Sequence, residues 1–246
     1  MAPTGYGSRV EGVHAVAAAA RAGRVSRLHV ERGRRAWDEV AELIAAVEED
    51  RVSLVDDART IAETSAPQGV VAECEPIRPV DLDEMAEHGL PALIVLDHLE
   101  DPQNVGAIDR SSLAAGATGL VMSGRRSAPL SAAAFKAAAG ALEQMPVAVV
   151  GSIPEALARL RSRGVWCVGL DAIVDQSLFG LELLTEPVAV VIGAEGDGLS
   201  RLAAKRCDLV VSIPMATAIE SLNASVSAAL AVFEIMRART NTSTPG

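Results

Sequence analysis

Three stretches of this chain place polar or charged side chains directly after apolar runs, two of them with glycines among them. They read LDHLEDPQNVGAIDRSSLAAGA over residues 96–117, VVIGAEGDGLSRL over 190–202 and IPMATAIESLNASVSAA over 213–229. Asn104 and Arg110 stand in the first, Glu195 in the second, Ser221 and Asn223 in the third. Each stretch leaves an expected strand and enters an expected helix, so each offers unpaired backbone N–H groups that can hold a ligand. All three then fall at the carboxyl ends of strands in one sheet, where open α/β folds bind their ligands. Taken singly these residues have plainer readings, with Asn104, Ser221 and Asn223 as helix caps and Arg110 as a surface side chain. The cysteines Cys74, Cys167 and Cys207 and the histidines His14, His29, His88 and His98 show no ligand spacing. No metal site is expected, and the three thiols are read as buried and free.

The elements that must position these loops follow from periodicity. From Pro91 onward apolar runs at Ala92–Asp97, Gly119–Met122, Val147–Val150, Val165–Leu170, Val188–Ile192 and Leu209–Ile213 read as strands. Helices are expected near 104–115, 131–143, 153–162, 199–205 and 222–239. Near-continuous apolar strands alternating with helices imply an α/β fold, a parallel sheet covered on both faces. Upstream, residues 6–20 read as a short lead-in followed by a helix with Val13, Val16 and Ala17 on one face, and Leu28–Val30 as a brief strand. A second helix is expected over 36–49, with Trp37, Val40, Ala41, Ile44 and Val47 at helical spacing. Val52–Val55 and Gly69–Cys74 read as strands around a short helix near Asp57–Thr64. These make a small α/β module ending near residue 76, joined through a proline-bearing linker over 77–90 to a larger domain over 91–246. The tail Thr240–Gly246 reads as disordered.

Half of the 246 residues are hydrophobic and only 2% aromatic, so the core must be aliphatic and stacking of bases on aromatic rings cannot be the main mode of RNA contact. No apolar run approaches the roughly 20 residues that span a bilayer, and a cytoplasmic protein is expected. A formal net charge of −10 argues against indiscriminate binding of nucleic acid. The distribution is uneven, however. Arg21, Arg24, Arg27, Arg32, Arg34 and Arg35 lie against a single acid, Glu31, and form the one concentrated basic run, read either as a solvated face or as an RNA contact.

In their order and separation the three motifs resemble those of the SpoU-type RNA 2′-O-ribose methyltransferases of the SPOUT superfamily. The likeness covers residues 90–246 strongly and the N-terminal region more weakly, through Val10–Val16 and the run Gln68–Ala72. It implies S-adenosyl-L-methionine as methyl donor, a deep trefoil knot in the parallel sheet, an N-terminal RNA-binding domain over 1–76 and a homodimer. It also maps Asn104, Arg110, Glu195, Ser221 and Asn223 onto the family's functional polar residues, and places the donor against Gly193, Ile213 and Leu222, with Ala194, Met215 and Thr217 beside them. Methyl transfer is an in-line displacement that gains most from holding donor and acceptor aligned, and it needs no metal. Arg110 would grip a phosphate and stabilise the developing alkoxide, with a water or the phosphate receiving the proton. The chain departs from the family pattern at Thr217, where glycine is usual, at Asp109, where an apolar residue is usual, at Ser112 in place of alanine and at Pro67 in place of histidine.

The resemblance implies a guanosine of large-subunit ribosomal RNA as substrate, ribosomal RNA being favoured over transfer RNA by the two-part layout. An antibiotic-resistance ribosomal RNA methyltransferase shares the same plan. A catalytically silent RNA-binding or ribosome-assembly protein is the reading from another class, separated from the first by whether S-adenosylmethionine binds. A nucleotide-dependent dehydrogenase is excluded, because no strand leads into G-x-G-x-x-G with an acid about 20 residues on.

Overall fold

The computed structural model describes residues 5–87, 89–125, 127–194, 196, 198–216 and 221–242. Its N-terminal sheet comprises β1 (Arg9–Glu11), β2 (Val25–Glu31), β3 (Val52–Val55) and β4 (Val70–Cys74), in the order β1-β4-β2-β3. Only β2 and β3 run parallel. Helices α1 (Val13–Arg21) and α2 (Asp38–Ala45) accompany it, their buried faces built on Val13, Val16 and Ala19 and on Val40 and Leu43. The short lead-in expected before α1 is β1, where Arg9–Glu11 pairs with β4. In place of a helix near Asp57–Thr64 there is only a 3₁₀ turn at Ala58–Thr60. The cause lies on β1. The Glu11 carboxylate is fully buried and accepts from the Glu63 N–H at 2.5 Å, the Thr64 N–H at 3.1 Å and the Thr64 hydroxyl at 2.5 Å. A buried carboxylate needs donors, and helical residues would have turned those N–H groups inward on themselves.

The second sheet is wholly parallel, with β5 (Ala92–Leu96), β6 (Gly119–Ser123), β7 (Val147–Val150), β8 (Trp166–Leu170), β9 (Val188–Ile192) and β10 (Leu209–Val211) in the order β10-β8-β9-β5-β6-β7. One face packs Ile94, Leu96 and Val190 against α4 (Pro102–Ala114), α5 (Ala132–Ala138) and α8 (Ala224–Thr242), through Val105, Ile108, Phe135, Ala228 and Ile235. The other packs Val95, Val121 and Ala189 against α3 (Leu82–Glu87), α6 (Ile153–Ser162) and α7 (Arg201–Ala204), through Met85, Leu157 and Ala203. Both faces are therefore covered, as apolar strands of this kind require. The helix expected over 131–143 is cut short: Ala139 (φ 49°) and Gly140 (φ 97°) turn left-handed, and a Cβ on Gly140 would lie 2.6 Å from that of Ala18. Close approach of α1 dictates the break.

The two sheets share a joint. Tyr6 pairs with Ile77 and sets its ring 6.2 Å from that of Phe135 on α5, while Val80 N–H donates to the Val147 carbonyl at 2.9 Å. The segment expected to be a linker is thus tied down at its start by backbone hydrogen bonds, and at its end by Arg239 Nη1, which donates to the Leu90 carbonyl at 3.0 Å. Helix α8 continues to Thr242, three residues into the tail that composition marks as disordered; residues 243–246 lie outside the described residues. Among the described residues no helix is long and apolar enough to cross a membrane.

Candidate active site

The carboxyl ends of β8, β9 and β10 surround a cavity of about 490 Å³, a volume suited to a cofactor-sized ligand. Gly193 and Ala194 reach it from β9, Ile213 and Met215 from beyond β10, and Ser221 and Leu222 from the approach to α8. Tertiary structure thus gathers residues of two separated stretches around one space. Gly193 is dictated by its surroundings. Ala194 and Gly198 exchange backbone hydrogen bonds of 3.1 and 3.0 Å, which brings Gly198 back against the end of β9, and a Cβ on Gly193 would fall 2.2 Å from the Gly198 carbonyl. Glu195 and Thr217 lie outside the described residues.

A second cavity of about 500 Å³ adjoins the first, sharing Ala194 and Gly198 with it. Its other wall is the loop after β5 and the start of α4, with His98, Asp101 and Asn104. The sequence suggests Asn104 as the helix cap, but Asp101 holds that position, accepting from Gln103 N–H at 2.9 Å with Pro102 as the first helical residue. A proline there loses no helical hydrogen bond, which moves the helix start two residues upstream of the expectation. Asn104 is therefore not a cap and is buried one turn in. Its amide donates to Asp101 at 3.3 Å and its carbonyl accepts from the Asn223 amide at 3.2 Å. Asn223 in turn caps α8, its carbonyl accepting from Ser225 N–H at 2.9 Å and from the Ser225 hydroxyl at 2.6 Å. The first and third stretches are joined side chain to side chain. Arg110 is exposed on α4, lines neither cavity and has no side-chain partner among the described residues.

The model of the SpoU rRNA Methylase family matches residues 91–233, and that of the RNA 2′-O ribose methyltransferase substrate-binding family matches residues 9–80. The chain belongs to the SpoU rRNA methylase family. A relative in Ralstonia nicotianae, the 23S rRNA (guanosine-2′-O-)-methyltransferase RlmB, is 37% identical over 237 residues, covering 93% of this chain and 94% of its own. An uncharacterized tRNA/rRNA methyltransferase of Mycolicibacterium paratuberculosis is 40% identical over 220 residues, covering 86% and 71%. Among solved structures, the SpoU methyltransferase AviRb from Streptomyces viridochromogenes in complex with the cofactor AdoMet superimposes with a TM-score of 0.79 at 28% identity, covering 96% of this chain and 91% of its own. The chain is accordingly an S-adenosylmethionine-dependent RNA methyltransferase of the SpoU family.

Within this SpoU-family chain the basic run does not act as one patch. Arg24 turns inward, where its Nε and Nη2 donate to the Glu143 carboxylate at 2.7 and 2.5 Å and its Nη1 to the Gly7 carbonyl at 3.1 Å and to the Glu75 carbonyl. That is a correction: Arg24 bolts the N-terminal sheet to the methylase domain, because an arginine this enclosed must satisfy its donors on protein. Arg34 is half-buried, its guanidinium 4.3 Å from the Trp37 ring and donating to the Gln68 carbonyl at 3.4 Å. Arg27 donates to Ser53 at 3.3 Å and Arg32 pairs with Asp56 at 3.1 Å, both exposed. Arg21 and Arg35 are exposed with no side-chain partner among the described residues.

Two features of the SpoU domain have no counterpart among the expected site residues. Asp109, distinguished in sequence only as a departure from the family pattern, is fully buried on α4; neither carboxylate oxygen has a hydrogen-bond partner among the described residues, and burial pushes its pKa up to about 8. Ser112, one turn on, is equally buried, and its hydroxyl has no hydrogen-bond partner among the described residues. The second is Asp97–His98, at the end of β5. Its signal in the sequence is a histidine next to an acid directly after an apolar strand, a pattern that metal-ligand spacing does not detect. All three thiols are free as expected, Cys74 and Cys167 buried but Cys207 only partly so, and desolvation pushes them up to about 11, 12 and 12 respectively. Among the described residues no group of three or more potential ligands could hold a metal.

Proposed function

We propose that this chain methylates the ribose 2′-oxygen of a guanosine in large-subunit ribosomal RNA, in the cytoplasm. The observation that carries this reading is the meeting of two cavities at Ala194 and Gly198, with the Asn104–Asn223 bond spanning the motifs beside them. The choice of guanosine in 23S RNA is supported by the relative RlmB, which carries that activity in its name. Gly193, Ala194, Ile213, Met215 and Leu222, with Thr217, hold S-adenosylmethionine in the first cavity, its adenine against the apolar side chains. The target ribose enters the second. Bound there, the donor supplies an activated methyl carbon; Asn104, Ser221, Asn223 and Glu195 orient donor and ribose so that oxygen, carbon and sulfur align.

Arg110 acts across a homodimer. It is exposed on α4, and α8 packs beside α4 while presenting Val226, Leu230, Phe233 and Met236 outward at helical spacing. An apolar stripe of this kind is suited to burial against a second copy, which would carry the partner's arginine toward the cavity to grip phosphate and stabilise the developing alkoxide. The N-terminal unit over 1–76, joined through 77–90 to the methylase unit over 91–246, binds RNA through Arg21, Arg27, Arg32 and Arg35. The segment between β10 and α8 is threaded to form a trefoil knot; support for this is that the chain leaves the edge strand β10 and returns to pack α8 against α4, β5 and β9 in the middle of the sheet. Mapping ribose methylations in ribosomal RNA from cells with and without this protein tests the function. Loss of one methylated guanosine in 23S RNA is expected, and an unchanged map would sink the reading.

A further inference from the structure

His98 holds a left-handed backbone conformation, φ 60°, that few non-glycine residues adopt. Its Nδ1 lies 2.7 Å from Oδ1 of Asp97. Asp97 is 0% exposed, and its second oxygen accepts from Ser200 N–H at 2.7 Å, so the carboxylate is pinned between the end of β5 and the start of α7. The imidazole, 41% exposed, lines the second cavity beside Asp101 and Asn104. With Nδ1–H donated to the carboxylate, Nε2 is left as an acceptor, and it has no hydrogen bond among the described residues.

We propose that His98, oriented by Asp97, is the general base that takes the proton of the ribose 2′-hydroxyl. This rests on the methyltransferase reading above and replaces water or phosphate as proton acceptor. The other groups described at this cavity are poorly fitted to the task. Guanidinium cannot accept a proton and amides are too weakly basic; Asp101 is occupied in capping α4 and holding Asn104; Glu100 is exposed. In the step, the O–H bond breaks and its proton passes to Nε2. The oxygen forms a bond to the methyl carbon as the carbon–sulfur bond breaks, and that electron pair stays on sulfur, leaving S-adenosylhomocysteine. The imidazolium then returns its proton to water. Asp97 pairs with the ring, and Glu100 and Asp101 line the same cavity, so the cation formed on the ring is met by carboxylates; among the described residues across the cavity, Ala194, Gly198, Leu199 and Ser200 carry no charge.

His98→Gly suits the test because glycine accepts this φ without strain. Wild type, His98→Gly and His98→Gln are compared in single-turnover transfer from tritiated S-adenosylmethionine to transcribed 23S RNA, with calorimetry of S-adenosylhomocysteine. The glycine variant should bind S-adenosylhomocysteine within about twofold of wild type while its transfer rate falls on the order of 10²–10⁴-fold. It should also lose the dependence of rate on pH that a general base confers, and added imidazole should restore part of the rate. Independently of activity, nitrogen NMR of the wild-type imidazole should show the tautomer protonated at Nδ1. An Nε2-protonated ring, or a glycine variant with unchanged rate and pH profile, would overturn the dyad. A wild type that binds S-adenosylhomocysteine but methylates no ribose would overturn the methyltransferase reading, and the dyad with it.

Discussion

Asn223 donates its amide N–H to the side-chain carbonyl of Asn104 at 3.2 Å, joining two residues 119 positions apart in the chain. The same Asn223 side chain caps α8 through its carbonyl, so one residue both starts a helix and ties the third motif to the first. Replacing it removes a cap worth about 1 kcal/mol and takes a donor away from the buried Asn104 carbonyl. Asn223→Ala is expected to lower the unfolding free energy by about 2 kcal/mol. Asn104→Ala, which leaves the cap intact, should cost less. A double-mutant cycle by urea denaturation should return a coupling of about 0.5–1.5 kcal/mol; strict additivity would mean the bond contributes nothing.

Gly193→Ala forces a Cβ against the Gly198 carbonyl, 2.2 Å away. The obstacle is backbone, so the turn over 194–198 must open. Affinity for S-adenosylmethionine is expected to fall at least about tenfold, equivalent to about 1.4 kcal/mol, measured by calorimetry, while the far-ultraviolet circular dichroism is retained. Wild-type affinity would show that the turn does not shape the cavity.

The basic residues divide into two classes with different signatures. Arg24→Met breaks the bond to Glu143 and strands a carboxylate whose side chain is 4% exposed, so thermal stability should fall by about 3 kcal/mol or more. Arg21→Ala and Arg35→Ala should leave stability within about 0.5 kcal/mol and lower the salt dependence of RNA binding instead. Titrations at several salt concentrations read this directly; an unaltered slope would remove these arginines from the RNA surface.

Asp109 makes stability depend on pH in the unusual direction. Burial raises its folded-state pKa to about 8, whereas in the unfolded chain it titrates near about 3.9. Below about pH 4 both states hold the proton and no penalty arises. Between about pH 4 and 8 the unfolded state alone releases it, so the contribution to stability is lost progressively as pH rises and is fully lost above about 8. Asp109→Leu, which keeps the branching at Cγ, should stabilise the protein at pH 8 by a few kcal/mol and flatten that slope, as read by denaturant titrations at pH 5 and pH 8. A variant less stable than wild type at pH 8 would show that Asp109 has a stabilising partner.

Much of the architecture is legible in the hydrophobic pattern. β7, β9 and α6 begin and end where hydrophobic period and cap residues place them, and the apolar strands with intervening helices suffice for a two-sided parallel sheet. Periodicity reports which face of an element is buried, and glycines report where the backbone must turn. Neither reports which element lies alongside. That β9 inserts between β8 and β5, that Arg24 turns inward, that Asp101 rather than Asn104 caps α4, and that Asn104 meets Asn223 all depend on the path of the whole chain. Residues carried together from 119 positions apart leave no local trace, since their spacing in sequence is unrelated to their distance in space. The sequence alone determined most of the elements of the parallel sheet and the family. Only the tertiary structure decided which of the marked side chains share a cavity, because that follows from strand order and helix packing across the completed core.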